Sequence, residues 1–205
     1  MQPHQHKHEG KRPTGAGKSS YDIIDRQRFW KALAPVTGKT VLDLACGAGR
    51  YTFPLAAKVG PTGKVIALDL WADGIAQVRE AAAEAGVDHI ETHVADLAAP
   101  LPVASASVHL CLMATVLHDL VADGISGAAL TEVARTLATD GIVAVVEFNK
   151  QEGPPGPPKA VRLSIEDVTR RLMTLGLIRF GAVVELGPHA YFAQFRRLPA
   201  APVRT

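Results

Sequence analysis

The sequence predicts an α/β fold: a seven-stranded, mostly parallel sheet with helices on both faces and an antiparallel hairpin at its end. Three observations carry this. From Lys39 onward, short apolar runs alternate with helix-like stretches, the pattern of strands joined by crossover helices. The runs are apolar throughout, as strands covered on both faces require. Only Gly187-Pro188-His189 separates the last two runs. That is too short for a crossover helix, so those strands must pair antiparallel.

The elements follow in order. Residues 1–20 are polar, basic and rich in His, Gly, Lys and Ser; they have little to bury and read as a disordered tail. Ile23, Ile24, Phe29, Trp30 and Leu33 recur at near-helical spacing and predict an amphipathic helix over Tyr21–Leu33. Strands are expected at Thr40–Leu44, Lys64–Leu68, Ile90–Val94, Val108–Met113, Ile142–Phe148, Ile178–Leu186 and Ala190–Arg197. A helix over Arg50–Val59 stops at the breaker Gly60-Pro61-Thr62-Gly63. A second, Ala72–Ala85, ends at Gly86, and a third, Ala128–Ala138, ends at Asp140-Gly141. Ser164, with Asp167 three residues on, opens a further helix that Gly176 closes. Gly153-Pro154-Pro155-Gly156-Pro157-Pro158 reads as a stiff surface loop. The domain is therefore placed at residues 21–198, with tails at 1–20 and 199–205.

The 205 residues suffice for one domain of ordinary size. With 47% apolar and 20% charged residues the composition is that of a soluble globular chain. A net charge of +2 is too small to imply a nucleic-acid surface. No apolar run is long enough to predict a membrane span, and the N-terminus lacks the apolar stretch of a secretory signal. Cys46 and Cys111 suggest no disulfide framework. The expected location is the cytoplasm. Oligomeric state is left open.

The strongest motif is Val41-Leu42-Asp43-Leu44-Ala45-Cys46-Gly47-Ala48-Gly49-Arg50. A strand delivers Asp43 to its carboxyl end. Gly47 and Gly49 then let the backbone turn tightly and approach a ligand, and the next helix presents unpaired N–H groups to it. Asp69, about 20 residues on, ends the second strand, where a carboxylate can accept both hydroxyls of a ribose or simply cap the next helix. Asp96 ends the third strand; it can accept from an adenine amino group while Leu97 packs on the ring, or cap its own loop.

On these residues the chain resembles the class I S-adenosylmethionine-dependent methyltransferase family, over about Tyr21 to Arg197. Asp43-Leu44-Ala45-Cys46-Gly47-Ala48-Gly49 looks like that family's first motif, Ala67-Leu68-Asp69-Leu70 its second and Ala95-Asp96-Leu97 its third. The resemblance implies a Rossmann-like, doubly wound sheet of order 3-2-1-4-5-7-6. It implies an enzyme that uses S-adenosylmethionine and releases S-adenosylhomocysteine. Gly47 and Gly49 would pass the methionine part, Asp43 and Ala45 the amino-acid end, Asp69 the ribose, and Leu70, Asp96 and Leu97 the adenine; Met113 would join this cofactor set. Ala114-Thr115-Val116-Leu117-His118-Asp119-Leu120 is similar to a Leu-His-containing turn of the quinone-methyltransferase-like, small-molecule subgroup. The rival reading is an S-adenosylmethionine-binding module without catalysis, acting as a sensor or partner subunit.

The alternatives are weighed on residues. A dinucleotide fingerprint wants a third glycine where Thr52 stands. Gly17-Lys18-Ser19 mimics a P-loop, but that pattern wants glycine at Arg12 and a strand before it. The family resemblance implies an Asn/Asp-Pro-Pro-aromatic turn after strand four in base-modifying amino methyltransferases; Met113-Ala114-Thr115-Val116 stands there instead, so DNA amino-methylation is not expected. Arsenite methylation needs several thiolates, and only Cys46 and Cys111 exist. The expected partner is a small-molecule acceptor. His118 is either a general base at the end of the fourth strand or a helix-start histidine bonded to backbone. Glu147 and Asn149 either line the same cleft or cap a loop. Tyr21, Phe29 and Trp30 form a lid over the cofactor or acceptor, a docking helix that buries aromatics, or both at once. No metal site is assigned: His4, His6 and His8 could chelate a metal but read first as solvated tail.

Overall fold

The computed structural model describes residues 15–197. A 3₁₀ turn, Ser20–Asp22, precedes α1 (Arg26–Ala32). Then come β1 (Thr40–Leu44), α2 (Thr52–Val59), β2 (Lys64–Asp69), α3 (Ala72–Glu84), β3 (Ile90–Val94) and β4 (Val108–Ala114). Helices α4 (Leu117–Ala122) and α5 (Ser126–Thr136), β5 (Leu137–Phe148), α6 (Ile165–Met173), β6 (Leu177–Glu185) and β7 (Ala190–Arg197) complete the chain. The seven strands form one sheet in the order β3-β2-β1-β4-β5-β7-β6. All neighbours are parallel except β5–β7 and β6–β7. This is the expected Rossmann-like sheet with its antiparallel terminal hairpin.

Successive side chains of a strand point to opposite faces, so one short run supplies two cores. Leu42, Leu44, Cys111, Met113, Val143 and Val145 pack with residues of α4, α5 and α6. Val41, Val65, Leu110, Leu112, Ala144 and Val146 pack with α1 and α2. Helix α3 lies on this second side, where Ile75 meets Ala67. Among the described residues, no helix is long and apolar enough to cross a membrane.

Three boundaries differ from the sequence reading. The helix expected over Tyr21–Leu33 is split, because Asp25 caps α1 by accepting the Arg28 N–H at 3.0 Å. Helix α5 ends at Thr136, and the chain is already a strand at Leu137. Asp140-Gly141 is thus not a helix stop but an irregularity inside β5. A side-chain carbon at Gly141 would lie 2.8 Å from the Val108 carbonyl oxygen, so the glycine permits that close approach. Helix α4 is an addition: Thr115, at φ 53°, turns the chain out of β4 and straight into it.

The Gly/Pro-rich loop also has an organiser. Arg162 is 1% exposed. Its guanidinium donates to the carbonyls of Asn149 (3.1 Å), Pro155 (2.9 Å) and Pro157 (2.8 Å) and to that of Gly153. The buried cation is thereby compensated by four carbonyls, three of them from the loop itself.

Candidate active site

Strand order reverses beside β1, and ligands of open α/β sheets bind at that point outside the strand carboxyl ends. A cavity of about 430 Å³ opens there. Asp43, Ala45 and Gly47 from the turn after β1, Asp69 and Leu70 after β2, and Asp96 and Leu97 after β3 all line it. Residues scattered over 55 positions of sequence are brought together because parallel strands end at one edge.

Asp43 is 2% exposed and accepts the Thr52 hydroxyl at 2.6 Å. Burial pushes its carboxyl up to about 7, against the Thr52 hydrogen bond and with help from the Asp69 charge. Ala45 leaves the strand at φ 62° and Gly47 follows at 57°. A side-chain carbon at Gly47 would meet no protein atom within 4 Å: its free side is open cavity. Asp69 holds the turn, since its Oδ2 accepts the Gly47 N–H and its Oδ1 the Trp71 N–H, each at 2.7 Å. The carboxylate ties the Gly47 turn to the end of β2 without capping α3, whose N-cap is Trp71 and carries no side-chain cap, and it remains a candidate ligand, because each oxygen has a second lone pair. Asp96 caps its loop, accepting the Ala98 N–H at 2.8 Å, while facing the cavity.

Two residues expected beside the cofactor do not line the cavity. Gly49 does not line the cavity; a side-chain carbon there would lie 2.9 Å from Val78 Cγ2 and 3.1 Å from the Phe53 ring. It is the contact that lets α2 and α3 close on the turn. Met113 is fully buried on the opposite sheet face, among the core side chains under α4–α6. The cavity wall after β4 is built instead by Ala114, Thr115 and Val116.

His118 is also off the wall. It is 4% exposed, on the first turn of α4. Its Nδ1 bonds Glu147 Oε2 at 2.8 Å, its backbone N–H donates to Oε1 at 3.1 Å, and its ring meets the Phe148 edge. Burial pulls the imidazole down, but the Glu147 hydrogen bond and the Glu147 and Asp119 charges outweigh it and leave it above its ordinary value. Glu147, fully buried, is the anchor of His118 rather than a cleft residue or a loop cap. Asn149 turns to the hairpin, donating to Glu185 at 3.0 Å.

The opposite wall was not legible in the sequence. Residues 15–20, read there as part of a tail, pack on the domain: Gly15 to Ser19 line the cavity. Ser20 is buried, with its Oγ 3.0 Å from the Tyr51 hydroxyl and 3.2 Å from Thr115 Oγ1. Asp22 pairs with Arg50, and Ser19 caps the 3₁₀ turn by accepting the Tyr21 N–H at 3.2 Å. The local signal was this Ser cap; the polar composition around it hid it. Tyr21, Phe29 and Trp30 are the docking cluster: Phe29 is fully buried between Tyr51 and Phe192, and the Trp30 indole N–H donates to the Tyr21 hydroxyl at 3.3 Å. His4, His6 and His8 lie outside the described residues.

A switch-point cavity with a glycine turn, three strand-end carboxylates and an antiparallel hairpin defines the Rossmann-like methyltransferase class. The profile of the family described as methyltransferase domain matches residues 35–172, and the chain belongs to that family. The solved structure of an S-adenosylmethionine-dependent methyltransferase from Aquifex aeolicus is similar at a TM-score of 0.77 and 26% identity, over 86% of this chain and 91% of that one. The nocamycin O-methyltransferase of Saccharothrix syringae is 30% identical over 177 residues, 85% of this chain and 55% of its own length. The chloroplastic 2-phytyl-1,4-beta-naphthoquinone methyltransferase of Arabidopsis thaliana is 30% identical over 62% of this chain and 50% of its own. The chain thus spans about half the length of these two relatives.

S-adenosylmethionine is the cofactor of the family, and the residues fit it. The open side of Gly47 admits a ligand against the backbone, and the fixed Asp69 carboxylate keeps lone pairs for a diol.

Proposed function

We propose that this chain transfers a methyl group from S-adenosylmethionine to a small-molecule acceptor. The observation that carries the reading is the convergence of Asp43, Gly47, Asp69 and Asp96 on one cavity. In it Asp69 receives the ribose, Leu70, Asp96 and Leu97 frame the adenine, and Asp43, Ala45 and Gly47 face the amino-acid end. The cofactor supplies an electrophilic methyl carbon when bound; the chain's own part is to align an acceptor with it and accommodate any proton released. A cavity of about 430 Å³ is the size for one drug-sized molecule, so the acceptor is small or enters through the open side. The nocamycin and naphthoquinone relatives, whose names give small-molecule acceptors, support that class. We assign the acceptor side to the corner where β4 meets α4, which carries His118.

The test is calorimetry with S-adenosylhomocysteine, followed by turnover on a panel of small hydroxylated and quinol compounds. Binding that Asp69→Ala weakens about tenfold or more, the worth of hydrogen bonds to a charged group, with turnover on a panel member, is the expected result. Tight binding with no turnover on any compound favours the non-catalytic module. No binding at all sinks both.

A further inference from the structure

We propose that Asp119 is the residue that meets the acceptor and takes its proton, with His118 and Glu147 as positioning residues behind it. The inference rests on the methyl-transfer reading above and concerns the acceptor's chemistry. Of the three residues only Asp119 lines the cavity. Glu147, fully buried, fixes His118 through two hydrogen bonds, and His118 Nε2 lies 3.4 Å from Asp119 Oδ1. With Nδ1 committed to Glu147, the imidazole presents its other nitrogen to that oxygen. Asp119 Oδ2 faces the far wall, where a side-chain carbon at Gly15 would come within 3.7 Å of it. The chain Glu147–His118–Asp119 thus runs from the sheet core to the cavity surface, and its exposed end is a half-exposed carboxylate.

The wall around Asp119 says what it receives. Val116, Leu120 and Ile125 are its apolar neighbours on the cavity, and Asp123 adds a second carboxylate. An apolar body bearing a hydroxyl fits this corner. A carboxylate-bearing group is repelled by it. In the transfer, the acceptor oxygen bonds to the methyl carbon, the carbon–sulfur bond breaks with its electron pair left on sulfur, and the hydroxyl proton passes to Asp119. From there it leaves to water. The groups facing Asp119 are His118 on α4, Asp123 just past its end and Glu147 on β5, with Lys18 on the opposite wall. Burial lifts the Asp119 carboxyl; the His118 charge pulls it down, and Glu147 and Asp123 lift it again, leaving it above the ordinary value.

The experiment is calorimetric titration of the S-adenosylhomocysteine-loaded protein with 1-naphthol, 1-methoxynaphthalene and 1-naphthoate. The expected order is naphthol tightest, by about tenfold or more over the other two. Asp119→Asn should erase that preference. Naphthol affinity should fall with pH as Asp119 protonates, and His118→Gln, which removes the imidazole charge, should move that midpoint upward. A purely structural His118 would lower the melting temperature and leave the midpoint in place, and that result overturns its positioning role. Equal binding of naphthol and methoxynaphthalene overturns the Asp119 assignment. So does the absence of binding of all three to a protein that still binds S-adenosylhomocysteine. Failure to bind S-adenosylhomocysteine would instead refute the methyl-transfer reading.

Discussion

Gly47 and Gly49 stand two residues apart and answer to different constraints. Both have positive φ, 57° and 82°, which a side chain resists. Only Gly47 borders open cavity; Gly49 faces Val78 and Phe53. Gly47→Ala should therefore weaken S-adenosylhomocysteine binding, about tenfold or more, with a stability loss near the ~1 kcal/mol of a strained φ. Gly49→Ala should be worse for the fold, on the order of 2–3 kcal/mol from strain plus overpacking, with affinity largely kept in whatever stays folded. Urea unfolding and calorimetry separate the two, and equal effects of the pair would contradict this division. Asp43 adds a pH dependence. Its carboxyl titrates near 7 in the free protein, and a bound ammonium group favours its ionised form. Cofactor affinity should then be full above pH 7 and fall below it, by at most about tenfold per pH unit. Titrations in buffers of different ionisation enthalpy should register proton release near pH 6 to 7. Identical affinity at pH 6 and 8 would separate Asp43 from the amino-acid end.

Helix α6 displays a whole element fixed by local sequence. Ser164 accepts the Asp167 N–H at 3.2 Å while Asp167 accepts the Ser164 N–H at 3.0 Å. Val168 and Leu172 then bury its inner face. Asp167 is held at about 2, first by the Ser164 backbone N–H and then by Lys150. Its folded value lies below its unfolded value, so its contribution is present above about pH 4 and is lost as pH falls toward 2. Asp167→Ala should cost about 1 kcal/mol at pH 7, the usual worth of a cap, and much less at pH 2; urea midpoints at the two pH values check it. Helix α4 is the contrasting case. Its first turn has no side-chain cap of its own. Its start is set from outside, where the Thr115 N–H donates to Val146 at 2.7 Å and Glu147 receives the His118 N–H. That dependence on another strand left the helix without a local cap signal, so its residues read as a turn, with a helix start at His118 only as the alternative.

At the scale of the molecule, the cavity is closed by two segments distant in sequence, the N-terminal stretch Gly15–Ser19 and the α4 corner. Ser20, Tyr51 and Thr115 join them through hydroxyls. Composition alone suggests that removing residues 1–18 is harmless. The structure predicts otherwise: the truncation takes away Gly15 to Lys18 from the wall, so S-adenosylhomocysteine should bind several-fold more weakly and dissociate faster. The melting temperature of the free protein should change little, because the buried aromatic cluster starts at Tyr21. Unchanged binding kinetics after truncation would show that the segment does not cover the ligand. The sequence by itself determined the strand runs, the Asp43-to-Gly49 turn, the strand-end acids Asp69 and Asp96 and the closing hairpin. Each is written in residues adjacent to one another, in periodicity, glycine placement or loop length. Only the tertiary structure decided that Met113 faces away from the cavity, that Gly49 is a packing contact, that His118 is committed to Glu147, and that Asp119 and Gly15 face each other across the site. Those outcomes depend on which sheet face a side chain takes and on which distant segments the sheet brings to one edge. No window of neighbouring residues contains that information.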